Sequence, residues 1–391
     1  MEGSIATDHA VPVFLGKDYP ELREAVQRVC APFPGEYWRA CDENSVYPTE
    51  FVTALTEAGF LAALIPEEFG GAGLPLRAAC VILEEINAAG CNAGAAHAQM
   101  YIMGTLLRHG SEQQKQRYLP GIAAGELRLQ AFGVTEPTTG SDTTKLKTRA
   151  ERKGNSHYVI NGQKVWTSRA LHSDLMLLLA RTTPVDQVKR RTDGLSTFIV
   201  DIKASLGKGL EIRPLKAMIN HNSTEIFMDG LEVPAENLIG EEGKGFRYIL
   251  DGMNAERTLI AAEATGDGRW LLDKAVSYAN DRRVFDRPIG QNQGVQFPLA
   301  RAYASLEAAD MMVRRAAALF DAGRECGADA NMAKHIAAEA AMRTHGGFAF
   351  AREYDIERKW REVRLYQIAP ISTNMVLAYI AQHVLGLPRS Y

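Results

Sequence analysis

A chain of 391 residues, at roughly 150 per domain, is expected to form two or three domains and to bury a sizeable core without disulfide or metal support. With 46% hydrophobic and 23% charged residues and a net charge of -3, it is neither disordered nor fibrous and has no electrostatic footprint for nucleic acid. The five cysteines (Cys30, Cys41, Cys80, Cys91 and Cys326) are odd in number, widely spaced and without a CxxC pair, which argues for a reducing compartment.

The opening MEGSIATDHAVPVF lacks a basic segment followed by an apolar core, so no signal peptide is expected. The longest apolar run, Leu175 to Ala180, is too short to cross a membrane. A cytoplasmic protein with no membrane or nucleic-acid partner is the expectation.

From about Tyr19 to Glu126 the apolar spacing is helical, as in FVTALTEAGFLAAL, and a Gly- and Pro-rich loop (Pro66 to Pro75) interrupts it. From about Leu127 to Pro234 the period becomes two. HYVING (157–162), LMLLLAR (175–181), LSTFIVDI (195–202), LEIRPL (210–215) and TEIFMDGLEV (224–233) read as strands. No helix of ordinary length separates them, so an antiparallel sheet or barrel is expected. From Glu241 onward, Ala-rich helical spacing returns and predicts a bundle.

No GxGxxG follows a strand, no HExxH or other metal spacing occurs, and GEEGKGF (240–246) reads as a turn into a helix. VTEPTTGSD (134–142) crowds small hydroxyl residues and glycine where helix gives way to sheet, as a ligand loop would. Read alone, it is also an ordinary connection, and the indole of KVWTSRA (164–170) is also a buried sheet tryptophan. Glu256 and Glu263 lie seven residues apart in AERTLIAAEATG, near one face of a helix. A carboxylate in such apolar company has a raised proton affinity, which suits a general base. The alternative is that Glu256 pairs with Arg257 or another cation.

Taken in order, AGFLAALIPEEFGGAGLP, LRHGSEQQKQRYLPGIAAGEL, VTEPTTGSD, INGQKVWTS, LEVPAENLIGEEGKGF, DRRVFDRPIGQNQ and HGGFAF resemble the acyl-CoA dehydrogenase family over almost the whole chain. The resemblance implies an α+β fold: an N-terminal helical domain (1–128), a central antiparallel β-domain (129–238) and a C-terminal four-helix domain (239–391). It also implies FAD bound without a covalent link, an acyl-CoA substrate, an electron-transfer flavoprotein as acceptor, and a homotetramer or dimer.

By the same resemblance, Phe132, Val134, Thr135, Gly140 and Ser141 fall on the flavin loop, with Ser141 also near the coenzyme A arm. Trp166, Thr167 and Ser168 flank the isoalloxazine, and Arg282 and Gln293 reach the FAD of a neighbouring subunit. Arg343, Gly346, Gly347, Ser372 and Asn374 fall on further FAD segments, and Asn254 and Arg257 join Ser141 at the substrate.

Many family members carry the base in a C-terminal YEGT segment, but here LYQIAPISTNM (365–375) has Pro370 at that position, and Gln367 is not a displaced base. A smaller branch, similar to isovaleryl-CoA dehydrogenase, carries its glutamate just before an arginine on the long helix, where this chain has Glu256 and Arg257. Glu256 is therefore expected to take the alpha proton while flavin N5 takes the beta hydride, giving a trans-2-enoyl-CoA in fatty acid or amino acid catabolism. Glu263 is expected to be structural. The competing readings are a monooxygenase on the same fold and a catalytically silent scaffold.

Three departures from the family pattern stand out. Asp286 replaces a usual glycine, Arg343 replaces a usual glutamine, and Ala217 to Ile226 lacks a frequent arginine. Ala96 to Gly104 is expected to line the acyl pocket, where Met100, Tyr101 and Met103 either shorten it or belong to the core.

Overall fold

The computed structural model describes residues 17–341 and 346–389. The first helical unit comprises α1 (Pro20–Cys30), α2 (Gly35–Asn44), α3 (Thr49–Glu57), α4 (Leu76–Ala88), α5 (Gly94–His109) and α6 (Glu112–Ala123). Helix α6 starts on a capping box. Ser111 Oγ accepts from the Gln114 amide at 3.2 Å, and Gln114 Oε1 accepts from the Ser111 amide at 3.0 Å. Helix α4 is buried along nearly its whole length, Glu84 and Glu85 included. Arg23 of α1 neutralises both, at 3.3 and 2.5 Å, as buried carboxylates require.

Eight strands follow: β1 (Leu129–Gly133), β2 (Arg149–Lys153), β3 (His157–Ser168), β4 (Leu175–Arg181) and β5 (Leu195–Asp201), then, after the one-turn helix α7 (Ile202–Ser205), β6 (Leu210–Pro214), β7 (Ser223–Pro234) and β8 (Leu238–Ile239). They form one sheet in the order β6-β7-β3-β2-β4-β5-β8, with β1 added beside β4. The pairing is mainly antiparallel, as the period-two pattern suggests. It is not wholly so, because β1 runs parallel to β4 and Arg149 of β2 pairs in parallel with Arg181 of β4. These strands are joined through longer connections rather than tight turns, which permits the parallel direction.

Strand β4 explains how the sheet sits. Met176, Leu178 and Ala180 point into the sheet's own core with Phe198, Ile226 and Leu231. Leu175 and Leu177 point the other way, into a core shared with Ile102 and Leu106 of α5 and Leu119 and Ile122 of α6. A strand buried on both faces reads as a continuous apolar run. The sheet is thus fixed against the first helical unit.

The chain then enters α8 (Gly245–Asp281), whose start after Gly243 agrees with the reading of 240–246 as a turn. A short hairpin, β9 (Arg283–Val284) and β10 (Arg287–Pro288), leads to α9 (Gln293–Asp321). Asp286 in that hairpin has φ 64, the left-handed region that accounts for a glycine being usual there. Helices α10 (Gly327–Ala341), α11 (Ile356–Tyr366) and α12 (Thr373–Tyr379) complete the unit. Helix α8 packs against α4 and α5 of the first unit and against α9 and α10 of its own. It is the common wall of the molecule.

The α4–α8 crossing is close enough to make a prediction whose sign is unusual. A Cβ at Gly266 would stand 2.2 Å from the Glu84 carbonyl oxygen. Glycine to alanine inside a helix ordinarily stabilises by about 0.5–1 kcal/mol. Gly266→Ala should instead destabilise by about 1–3 kcal/mol, as overpacking does, read as a lowered urea midpoint.

Candidate active site

Glu256 lies on α8 where it passes α5. It is 6% exposed, and its Oε2 is buried without a hydrogen-bond partner. Burial pushes its carboxyl up to about 7, against the opposing pull of His97, Arg257 and Lys334. Arg257 does not pair with it. That guanidinium donates to the Met253 carbonyl (2.9 Å), to Asn331 Oδ1 on α10 (3.1 Å) and to Asn254 Oδ1. Asn254 and Arg257, expected at the substrate, are therefore engaged with each other in a link between α8 and α10. Lys334 of α10 donates to the Ile371 carbonyl at 2.6 Å, and burial pulls its ammonium down to about 8 while Glu256 opposes that shift.

Helices α5 and α8 run antiparallel along this seam. A Cβ at Gly252 would approach Thr105, Tyr101 lies in the field of Glu256, and His97 meets Glu263. Glu263 is 1% exposed with both oxygens occupied, Oε1 by His97 Nδ1 and Oε2 by the Tyr366 hydroxyl at 3.1 Å. This agrees with the structural role expected for it. Of the pocket-lining candidates, Met100 and Met103 belong to two hydrophobic cores, and Tyr101 packs against both while lying in the field of Glu256.

The sheet reaches the seam through Phe132, whose ring meets Tyr101 edge-on at 5.6 Å. Phe132, Val134 and Met253, the last one helical turn before Glu256, all pack against the cluster of Leu146, Leu179, Leu195 and Ile249. The Thr135 carbonyl accepts from the Val165 amide at 2.9 Å, which couples the 134–142 loop to β3. A buried ion pair holds the same junction: Lys164 Nζ lies 3.0 Å from Glu136 Oε1 and 3.1 Å from the Val134 carbonyl. Glu136 also accepts from the amides of Lys147 (2.6 Å) and Thr148 (2.8 Å). Burial pulls Lys164 down to about 8, against Glu136, while Lys164 and these hydrogen bonds hold the Glu136 carboxyl below its usual range. Gly140 and Ser141 lie exposed at the loop's tip.

Trp166 corrects the buried-tryptophan reading. The pairing of β3 with β7 slips between Lys164 and Thr167, and Trp166 takes φ 62. A bulky residue in the left-handed region is a genuine outlier. Here it leaves the indole 57% exposed. Next to it, Thr167 is fully buried with no partner for its Oγ1, and Ser168 is half-buried.

Other expected residues lie elsewhere. Arg282 ends α8 and Gln293 begins α9, both exposed, and Arg282 stacks on Phe348 at 5.6 Å beside Gly346 and Gly347. At 1.5 Å per residue, Arg282 is roughly 39 Å along the helix from Glu256, so these four residues do not join the seam within one chain. Ser372 stands at the N-cap position of α12 without a side-chain capping bond, next to the Ile371 carbonyl that Lys334 holds, and Asn374 is exposed on that helix. Arg343 lies outside the described residues. His97, Tyr366, Lys334 and the Glu136–Lys164 pair went unmarked by the sequence.

Models of the acyl-CoA dehydrogenase N-terminal, middle and C-terminal domains match residues 17–126, 131–231 and 243–385. The chain is 36% identical over 382 residues to acyl-CoA dehydrogenase FadE12 of Mycobacterium tuberculosis, covering 95% of this chain and 96% of that one. It is 34% identical over 386 residues to glutaryl-CoA dehydrogenase of Desulfococcus multivorans, with the same coverage. The solved glutaryl-CoA complex of a glutaryl-coenzyme A dehydrogenase superposes with a TM-score of 0.86 at 32% identity, over 96% of this chain and 97% of that one. The chain belongs to the acyl-CoA dehydrogenase family.

Removing one member of a buried pair leaves an uncompensated charge, so Lys164→Met should cost about 3–5 kcal/mol. Chemical denaturation checks this, and a loss below about 1 kcal/mol would mean that the pair does not hold the loop to the sheet.

Proposed function

We propose that this chain is an FAD-dependent acyl-CoA dehydrogenase in which Glu256 removes the alpha proton of the thioester. The observation that carries the reading is a buried carboxyl with an unpartnered oxygen and a raised proton affinity, beside the segment that bears Phe132 and Val134.

The residues present suit the flavin. An exposed indole held out by a positive φ offers a face to a planar heterocycle, and the buried Thr167 hydroxyl lacks a partner that a polar ring edge would provide. A side chain added at Gly140 would meet only open space, which leaves the loop free to approach a ligand. Phe132, Val134, Thr135, Gly140, Ser141, Trp166, Thr167 and Ser168 would hold FAD on this side. Arg282, Gln293, Gly346 and Gly347 would serve the FAD of a neighbouring subunit, with Ser372 and Asn374 completing the set. When bound, FAD supplies the acceptor for a hydride.

Glu256 takes the alpha proton, the beta hydrogen leaves as hydride, and the carbon–carbon double bond of a trans-2-enoyl-CoA forms between them. Removing a proton from so weak an acid needs a base whose pKa lies near the working pH. Desolvation of Glu256 meets that need, and Lys334 and Arg257 favour its charged form. Asn254 and Arg257 act by keeping this stretch of α8 in register with α10. Pro370 in the C-terminal segment and the buried Glu256 on α8 support the reading of a chain in the branch similar to isovaleryl-CoA dehydrogenase.

The same reading includes an electron-transfer flavoprotein as acceptor and a homotetramer or dimer. The exposed Phe297 and Tyr303 of α9 and Phe285 of the hairpin support a subunit-facing surface there. A cytoplasmic location fits five free cysteines, and no helix among the described residues is long and apolar enough to cross a membrane.

Anaerobic addition of an acyl-CoA to the FAD-loaded protein should bleach the flavin, and failure with every acyl group would remove the reading. Glu256→Gln should slow bleaching by roughly 10²-fold or more. Because the carboxyl must be ionised to act, the wild-type rate should rise with pH through about 7 and level off above it. A flat profile across that range would contradict the assignment.

A further inference from the structure

Away from the seam, the first helical unit holds two thiols against each other. Cys30 ends α1 and Cys91 follows α4, 61 positions apart in the chain, and both are buried in the same hydrophobic core. Cys91 Sγ lies 3.7 Å from the Phe33 carbonyl and 4.0 Å from the Cys30 carbonyl, so it points at the last turn of α1. There the two thiols share a hydrogen bond. Two cations of α11 grip the backbone around Cys91. Lys359 Nζ donates to the Cys91 carbonyl, and Arg358 Nη2 donates to the Gly90 carbonyl at 3.1 Å. Reactive cysteines occupy electropositive surroundings of this kind. The hydrogen bond from Cys30, with Lys359 behind it, holds the Cys91 thiol below its ordinary range against burial, and the same bond pushes Cys30 up. A cavity of about 20 Å³ adjoins the pair, with Trp38, Asn92 and Arg358 in its wall. Trp38 Nε1 donates to the same Phe33 carbonyl that Cys91 meets, at 3.2 Å. The cavity has room for a guest of about the size of water.

We infer that Cys30 and Cys91 are a peroxide-sensitive dithiol that closes to a disulfide and ties the end of α1 to the turn before α5. The Cys91 thiolate attacks one oxygen of hydrogen peroxide, and the O–O bond breaks. Cys91 becomes a sulfenic acid, and the hydroxide released takes up the thiol proton as water. The Cys30 sulfur then attacks the Cys91 sulfur, the S–O bond breaks, and the departing hydroxide takes the Cys30 proton as a second water. Two thiols are oxidised by two electrons, and one peroxide is reduced to two waters. Both sulfurs lie behind the exposed residues Ala31, Pro32 and Pro34 of the α1–α2 turn, where a small opening admits so small an oxidant. A reducible pair agrees with a reducing compartment, where disulfides are transient and redox-sensing. Helix α5 begins at Gly94 and carries His97 and Tyr101 into the seam, so the tie fixes the origin of that wall.

The test uses the FAD-loaded protein, reduced with dithiothreitol, freed of it and exposed to hydrogen peroxide. Remaining thiols are capped with iodoacetamide, and the protein is digested without reduction and read by mass spectrometry. Two of the five thiols should be lost to alkylation, with the Cys30 peptide joined to the Cys91 peptide and released by dithiothreitol. In Cys30→Ala, dimedone should label Cys91 as its sulfenic acid, and in Cys91→Ala it should leave Cys30 unlabelled. Circular dichroism confirms that each variant is folded, and the wild-type experiment stands without them. A wild-type protein that keeps both thiols free would overturn the inference. So would a link through Cys41, Cys80 or Cys326 instead, a Cys30–Cys91 link that forms only in urea, or labelling of Cys30 in Cys91→Ala. None of these outcomes depends on Glu256 being the base, which flavin bleaching decides separately.

Discussion

A carboxylate kept from water with one oxygen unpartnered is the constraint around which this molecule is arranged. Placing an ionised carboxylate in such surroundings costs several kcal/mol even after the protein relaxes. Glu256 meets the cost by holding its proton more tightly. That response gives the carboxyl a proton affinity matched to neutral pH, as the proposed base requires. The surrounding charges are graded. Arg257 is occupied by Asn254 and Asn331, Lys334 by a backbone carbonyl, and His97 by Glu263. Each favours the ionised form through the field, and none closes an ion pair that would hold Glu256 permanently charged and inert.

The fold makes this possible by giving α8 neighbours on every side. Helices α4 and α5 lie against it from the first unit and α9 and α10 from its own, so residues 255–268 are buried almost without interruption. The sheet is fixed to α5 and α6 through the outward face of β4, and Phe132 carries that contact to Tyr101. Within the sheet, the Glu136–Lys164 pair and the slip in β3 decide how the 134–142 loop and Trp166 are presented. Backbone strain at Trp166, of order 1–3 kcal/mol, sits where β3 meets that loop. Strain of this kind persists where the surroundings over-determine it.

Much of this was legible in the residues, and the rest was hidden for identifiable reasons. Strand β4 appears with its expected bounds because seven consecutive residues read as a doubly buried strand. Strand β2, Arg149–Lys153, could not be seen because only one of its residues is buried, so RAERK shows no alternation. Strand β3 runs on past Gly162 to Ser168 because its partner β7 continues alongside, which no local pattern announces. Glu256 was visible as a carboxylate in apolar company. His97 was not, since its partner Glu263 is 166 positions away and a lone histidine on an apolar helix reads as core. The exposure of Trp166 depends on a bulge that period-two counting cannot register.

Exchange of the alpha hydrogen separates the base from every other part of the reaction. A β-thia acyl-CoA, which cannot give up a beta hydride, is held with the FAD-loaded protein in deuterium oxide, and uptake of deuterium at the alpha carbon is followed by mass spectrometry. If Glu256 is the proton acceptor, the wild-type protein and Glu263→Gln both incorporate deuterium, and Glu256→Gln does so about 10²-fold more slowly. Incorporation by Glu256→Gln at the wild-type rate would place the base elsewhere and contradict the account.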